Sequence, residues 1–203
     1  MSESPVTSLG RHQIGLAADI LTAAFHDSPL IAYMLPDPAV RKKRLRWYFR
    51  ASVRYAVTCG ECHLAQSHDG VALWLPPLHP VCDIWGLLRS GIIAAPYLLG
   101  RLSYRRMLEV ARVIRQYRGN HAPPGHWYLS ELAVLPSKQQ TGIGTGLVMP
   151  MLERFDRDKC DCYVETSNED AVVFYERLGF RIAGTYEMPF DTLVCHCLVR
   201  HAR

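Results

Sequence analysis

The run Leu132-Ala133-Val134-Leu135-Pro136-Ser137-Lys138-Gln139-Gln140-Thr141-Gly142-Ile143-Gly144-Thr145-Gly146-Leu147 reads as an apolar strand halted at Pro136, a polar turn, and a glycine-spaced entry into a helix. Such a turn aims several backbone N–H groups at one spot, and the helix dipole adds partial positive charge there. That is a physical site for a phosphate or pyrophosphate. Glycines also let phosphate oxygens approach the backbone without meeting a Cβ. A P-loop would end in Gly-Lys-Ser/Thr, whereas Gly144-Thr145-Gly146 stands here. A dinucleotide turn needs Gly-x-Gly-x-x-Gly and an acidic residue about twenty positions on. Gly142, Gly144 and Gly146 run Gly-x-Gly-x-Gly instead, although Glu165 lies near the required distance, so spacing alone leaves that alternative open.

Working outward, the chain has 203 residues, 49% hydrophobic and 21% charged, the balance of an ordinary globular protein and the length of one domain, 1–203. A net charge of +4 permits an anionic ligand but argues for no nucleic-acid partner. Met1 to Gly10 lacks an apolar run, so no secretory leader is expected. Trp85 to Gly100, the most apolar stretch, is broken by Arg89 and Ser90 and falls short of the ~20 residues of a membrane span, so no membrane partner and a cytoplasmic location are expected. The seven cysteines are an odd number without an export signal, which favours thiols over a disulfide framework. Cys59-Gly60-Glu61-Cys62-His63 has the spacing of a c-type haem attachment or of half a zinc site. Haem attachment needs export, and the pairs Cys160/Cys162 and Cys195/Cys197 have one-residue gaps, so small buried hydrophobes are the better account and no metal is expected.

Periodicity predicts a short strand over Pro5–Leu9, helices over Gln13–Phe25, Pro29–Leu35 and Val40–Val57, and a hairpin of Glu61–Gln66 with Gly70–Leu75 around an Asp-Gly turn. Two helices follow, Ile84–Leu99 with a break near Pro96, and Tyr104–Tyr117. The remainder alternates: strand Trp127–Leu135, helix Gly144–Lys159, strand Cys162–Thr166, helix Asp170–Leu178, then strands Phe180–Glu187 and Thr192–Arg200. The basic residues of Val40–Val57, interleaved with aromatics, read as a solvated face over a buried one. The order implies an α/β (α+β) fold with parallel crossover units in its second half.

Gln139-Gln140-Thr141-Gly142-Ile143-Gly144 after Leu132-Ala133-Val134-Leu135-Pro136 resembles the acetyl-CoA pyrophosphate turn of the GNAT superfamily of N-acetyltransferases. A second motif, Phe174-Tyr175-Glu176-Arg177-Leu178-Gly179-Phe180 after Glu165-Thr166-Ser167-Asn168, resembles the same family. Strand His126-Trp127-Tyr128-Leu129, Val148-Met149-Pro150 and Glu165-Thr166-Ser167 resemble puromycin N-acetyltransferase-type members. The likeness is strong from about Trp127 to Arg200 and loose over residues 1 to 80. It implies a GNAT fold, a mixed sheet of six to seven strands flanked by helices, with an extra helical pair between the third and fourth strands. It further implies acetyl transfer from acetyl-CoA to a primary amine in a ternary complex, by a monomer or homodimer without a metal.

Carried over residue by residue, the resemblance gives Gln139, Gln140, Thr141, Gly142, Ile143, Gly144 and Thr145 the pyrophosphate. It gives Leu132 and Val134 the pantetheine and thioester, Asn168 a pantetheine contact or a helix cap, and Tyr175 the role of general acid to the leaving thiolate. The base is open. Strict alternation puts Tyr128, Ser130, Leu132 and Val134 on one face and Glu131 on the other, so water held by Ser130 and Tyr128 is the first reading. A β-bulge would change the facing and bring Glu131 into play. Phe25, Asp27 and Tyr128, with Phe190 between the last strands, would line the acceptor side, to which His26 could contribute, and its aromatic content suits a small apolar or aromatic amine rather than a polyamine. A non-catalytic acyl-CoA-binding regulator and a protein or peptide N-acetyltransferase are the competing readings.

Overall fold

The computed structural model describes residues 6–77, 88–188, 190 and 193–203. Its strands are β1 (Val6–Ser8), β2 (Glu61–Ala65), β3 (Gly70–Leu75), β4 (Trp127–Val134), β5 (Cys162–Thr166), β6 (Arg181–Glu187) and β7 (Val194–Arg200). Among the described residues the α-helices are α1 (Ile14–Phe25), α2 (Pro29–Met34), α3 (Pro38–Cys59), α4 (Ala95–Leu99), α5 (Arg101–His121), α6 (Ile143–Asp158) and α7 (Glu169–Arg177). The strands form one seven-stranded sheet in the order β1-β2-β3-β4-β5-β7-β6. β4 and β5 run parallel, and every other neighbouring pair is antiparallel. This is the mixed sheet that the sequence implies, with α4 and α5 between its third and fourth strands.

Local chemistry accounts for the boundaries that differ from the sequence reading. α3 begins at Pro38, not Val40, because Asp37 caps it by accepting the Ala39 N–H at 3.0 Å and Pro38 fits the first helical position. The break expected near Pro96 falls earlier, at Gly91 with φ 81°, while Pro96 sits harmlessly in the first turn of α4. Residues 84–87 of that expected helix lie outside the described residues, as does Thr192 of the last strand. In the hairpin, His68 takes the left-handed conformation (φ 60°) and Gly70 opens β3. Gly70 is there for closeness: a Cβ would stand 2.8 Å from Ile143 Cγ2 and 2.9 Å from Leu147 Cδ1, so β3 and the start of α6 could not approach.

Each face of the sheet carries its own core. On one, Leu21, Leu45, Phe49, Val71, Leu73 and Tyr163 pack beneath α1, α3 and α5. On the other, Trp74, Leu129, Leu147, Phe155 and Phe180 pack beneath α6 and α7. Arg200 of β7, 4% exposed, locks the second layer through a bidentate pair with Asp156 of α6 at 2.9 and 2.6 Å.

Candidate active site

Parallel pairing stops early. β4 and β5 are in register only for Trp127–Cys162, Tyr128–Tyr163 and Leu129–Val164. Beyond that β5 stays with β7 and β4 stays with β3, so the two strands part and the β4 edge from Ser130 to Val134 has no strand partner. Unpaired backbone groups on that edge can bond an extended ligand as another strand would.

Just past the fork, β4 bulges. Leu73 pairs with Glu131 and Trp74 with Leu129, which leaves Ser130 as the extra residue. The bulge corrects the facing expected from strict alternation. Tyr128 and Ala133 lie with the α1/α3/α5 layer, whereas Leu132 and Val134 lie with Trp127 and Leu129 on the α6/α7 layer. Glu131, opposite Leu73, therefore shares the face of Tyr128. The Ser130 hydroxyl donates to Glu131 Oε2 and also lies 3.3 Å from the Leu73 carbonyl oxygen. Burial pushes the Glu131 carboxyl up to about 6, against the opposing pull of the Ser130 hydroxyl. A carboxylate poised there is ionised at neutral pH yet basic enough to take a proton.

The glycine turn stands at the far end of β4. A 3-10 turn at Pro136–Lys138 leads to Gln140 (φ 62°) and Gly142 (φ 87°), which caps α6 in the left-handed region. No side chain caps this helix, and its first backbone bond runs from Gly146 N–H to the Gly142 carbonyl at 3.0 Å. The N–H groups of Ile143, Gly144 and Thr145 are thereby left for a ligand, and the exposed Gln139–Gly142 stretch keeps the approach open. Gln139 Nε2 donates to the Val134 carbonyl at 3.3 Å and Thr141 Oγ1 to the Lys138 carbonyl at 2.6 Å, which shape the turn from within. Gly144 brings three elements together: a Cβ there would touch Phe174 at 3.5 Å and Val134 at 3.8 Å.

Tyr175 lies on the α6/α7 side, 5% exposed, with its ring between Phe174 and Phe180. Burial raises its pKa well above the ordinary phenol value, so the hydroxyl keeps its proton. Asn168 does cap α7: its side-chain oxygen accepts the Asp170 N–H at 2.9 Å, which leaves its exposed amide NH2 as a donor.

The residues expected at the acceptor side scatter. Tyr128 faces the fork on the α1/α3/α5 layer, with the Arg118 guanidinium 4.6 Å over its ring. Burial first, then Glu165, raises its pKa well above normal; Arg118 opposes this and Glu131 adds to it. Phe25 packs against Phe49 at 5.6 Å within the core, and Phe190 stacks on Tyr33 at 3.4 Å. Asp27 is at the surface, its side chain 93% exposed and bonded to His26 Nδ1 at 2.7 Å, so it lines no buried site.

One acidic residue beside the fork is given no site role by the sequence reading. Glu165, the next β5 residue after the last paired position, stands on the same face as Tyr163 and is half-buried, its pKa raised by desolvation. Alternation along β5 is the signal that could have found it, because Tyr163 and Glu165 are both on one side of a strand whose other side is Cys162 and Val164. Among the described residues, no three ligating side chains converge as a metal site, and none of Cys62, Cys160, Cys162, Cys195 and Cys197 forms a disulfide. Burial pushes the Cys62 thiol up to about 12. No helix of the described residues is long and apolar enough to cross a membrane.

The comparisons fit this geometry. The model of the acetyltransferase (GNAT) family matches residues 97–180, which takes in the fork, the glycine turn and Tyr175. The chain is 26% identical over 175 residues to an uncharacterised N-acetyltransferase of Schizosaccharomyces pombe, covering 81% of this chain and 69% of that one. In structure it is similar to a histone acetyltransferase HPA2 and related acetyltransferase of Corynebacterium glutamicum, with TM-score 0.70, 22% identity and coverage of 98% and 96%. It is also similar to the polyamine N-acetyltransferase of Drosophila melanogaster, with TM-score 0.62, 15% identity and coverage of 97% and 98%. The sheet is thus a GNAT fold, and fold and family match together support an enzyme, a transferase of GNAT type. Acetyl-CoA use is general to that family.

Proposed function

We propose that this chain moves the acetyl group of acetyl-CoA to a primary amine of a small molecule, by direct attack in a ternary complex. The observation that carries the reading is the bulge at Ser130, which brings Glu131 to the α1/α3/α5 face beside the fork. The residues present suit the co-substrate. The free N–H groups of Ile143, Gly144 and Thr145 would hold the pyrophosphate, with Gln139, Gln140, Thr141 and Gly142 shaping the turn. The unpartnered edge Leu132–Val134 would bond the pantetheine as a strand, and the Asn168 amide would add a donor.

The bound thioester supplies an acyl carbon and a good leaving group. Glu131 accepts the proton that the amine nitrogen loses as it forms its bond to that carbon. As the C–S bond breaks, the Tyr175 hydroxyl gives its proton to the sulfur. Solvent then returns the proton from Glu131 to Tyr175, which closes the cycle. Burial serves both groups in opposite senses: it makes the carboxylate a stronger base and keeps the phenol protonated.

The small-amine reading is supported by the Drosophila structural relative, which acts on polyamines and forms N-acetylagmatine. The puromycin N-acetyltransferase-type motifs around Val148-Met149-Pro150 support that subgroup without naming an acceptor. Release of CoA thiol across a panel of small amines and peptides tests the proposal. Turnover of small amines is expected. Tight CoA binding with no turnover of any acceptor would sink it, and turnover of peptides alone would move the acceptor class.

A further inference from the structure

Charge is unevenly shared along this chain. Segments 38–59 and 88–121 hold fourteen of its 23 Lys and Arg residues and, in Glu109, one of its 19 acids, so the modest net charge of +4 conceals a strongly cationic helical layer. Glu109 itself accepts the Tyr33 hydroxyl at 2.7 Å. The inward side of α5 packs Met107, Val110, Val113 and Ile114 on the core. Its outward side presents Arg101, Arg105, Leu108, Arg112 and Arg115 as one exposed stripe at helical spacing. Among the described residues, neither Arg89 nor any arginine of the stripe forms an ion pair.

Apolar side chains stand in solvent at one end of that stripe. The 3-10 turn Ile92–Ala94, α4 and the first turn of α5 expose Ile93 (59%), Tyr97 (90%), Leu98 and Leu102. Single apolar residues on a surface are ordinary, but a cluster this dense in sequence marks a contact. Gly91 and Gly100, with φ of 81° and 80°, bend the chain on either side of the cluster. Cations of α3 abut both bends: a Cβ at Gly91 would lie 3.7 Å from Arg54 Nη1, and one at Gly100 would lie 3.6 Å from Arg44 Nη2. An open groove of about 440 Å³ at the same place is lined by Pro96, Arg101, Leu102, Tyr104 and Arg105. Arg101 and Arg105 are one helical turn apart, and guanidinium forks of that kind suit a phosphate. A second copy of the chain is a poor occupant, since a two-fold contact would set the arginines against themselves. A nucleic acid would answer the arginines but not the aliphatic side chains. An anionic bilayer answers both, with phosphates for the guanidinium groups and acyl chains for the leucines.

We propose that α4 and the exposed stripe of α5 dock this protein on an anionic lipid bilayer, with Tyr97, Leu98 and Leu102 entering the boundary between headgroups and acyl chains and Arg101 and Arg105 on lipid phosphates. This goes beyond acetyl transfer and does not depend on it. The contact is attachment to a surface and not a span, in keeping with the described helices, none of which is long and apolar enough to cross a membrane. The sequence reading, which expects no membrane partner, weighs only the length of the apolar run. Peripheral attachment asks instead for exposed apolar side chains beside cations, a property of the folded surface.

Cosedimentation of the full chain with vesicles tests this, using phosphatidylcholine alone and an equal mixture with phosphatidylglycerol. Wild type should bind the mixed vesicles at least about tenfold more tightly than the neutral ones, and less so as salt rises. Arg101→Gln/Arg105→Gln should weaken binding to the mixed vesicles by roughly 25-fold, about fivefold for each arginine. Leu98→Ser/Leu102→Ser should weaken it by about tenfold or more with no change of charge. All four side chains are exposed, so both variants should keep native circular dichroism and Tm. Equal binding to the two kinds of vesicle, or binding to neither, overturns the inference. A leucine variant that binds as wild type does overturns it too, since charge alone would then hold the surface. Single-stranded poly(U) RNA is the remaining arm: tighter binding to it than to the mixed vesicles, unchanged in the leucine variant, would give this face to a nucleic acid instead.

Discussion

Tyr128 and Glu131 stand on the same face of the sheet, although on a regular strand the two would point to opposite sides. The inserted Ser130 makes the difference, and the same residue bonds the carboxylate it re-aims. A single extra residue thus positions the proposed base and also tunes it.

The tuning is open to test through Ser130→Ala. The hydroxyl favours the ionised carboxylate, so its loss should raise the Glu131 pKa above about 6 and move the acid limb of the pH–rate profile to higher pH. At saturating pH the rate should fall by less than about tenfold, because the base itself remains. An acid limb that stays in place or moves down would show that the hydrogen bond does not set the titration.

For Tyr175, the Phe variant removes the hydroxyl and keeps the ring that packs on Phe174 and Phe180. A fall in kcat on the order of 10²-fold is expected, with CoA affinity and Tm nearly unchanged. Full kcat across the pH range would rule out the general-acid role.

Gly142 tests the cradle. A Cβ there meets no atom within 4 Å, so crowding is not the issue; the φ of 87° is. Gly142→Val should twist the turn away from the helix N-terminus, at about 1–2 kcal/mol of backbone strain, and weaken CoA at least about tenfold while circular dichroism stays native. Unchanged CoA affinity by calorimetry would place the pyrophosphate elsewhere.

Much of this fold was legible because its signals are local. Pro136, the glycine run and Gly179 mark where elements stop, and period-2 and 3.6 patterns separate β3, β4 and β5 from α6 and α7. What stayed hidden depends on pairing between distant strands. No property of Ser130 itself announces a bulge, since the extra residue shows only when Leu73 and Trp74 are laid against β4. Glu165 enters the sequence reading only through its spacing from the glycine turn and its motif, because its bond from the Tyr186 hydroxyl, twenty-one residues on, exists only once β6 and β7 are in place. Asp27, given an acceptor-side place by likeness, stands exposed at the end of α1 and bonds His26.

Stability has its own pH signature in the Asp156–Arg200 pair. The Arg200 guanidinium holds the Asp156 carboxyl down at about 2, below its unfolded value, so the pair's contribution is fully present above about pH 4 and is lost as pH falls through about 2. Asp156→Asn leaves a buried guanidinium without its counter-charge and should cost on the order of 3 kcal/mol at pH 7, less at pH 2. A Tm difference that does not shrink with acid would contradict this account.

The central claim is that Glu131 is the base, and the pH dependence of thiol release by wild type and Glu131→Gln tests it most directly. Wild-type kcat/KM, expressed per unprotonated amine, should climb about tenfold per pH unit below about 6 and level off above, while the variant should run about 10²- to 10⁴-fold slower without that limb. Because the folded pKa is raised, ionising Glu131 costs stability as pH rises through about 6, so the variant should melt no lower than wild type at pH 7. A stable, CoA-binding Glu131→Gln protein that keeps the wild-type rate and acid limb would contradict the claim.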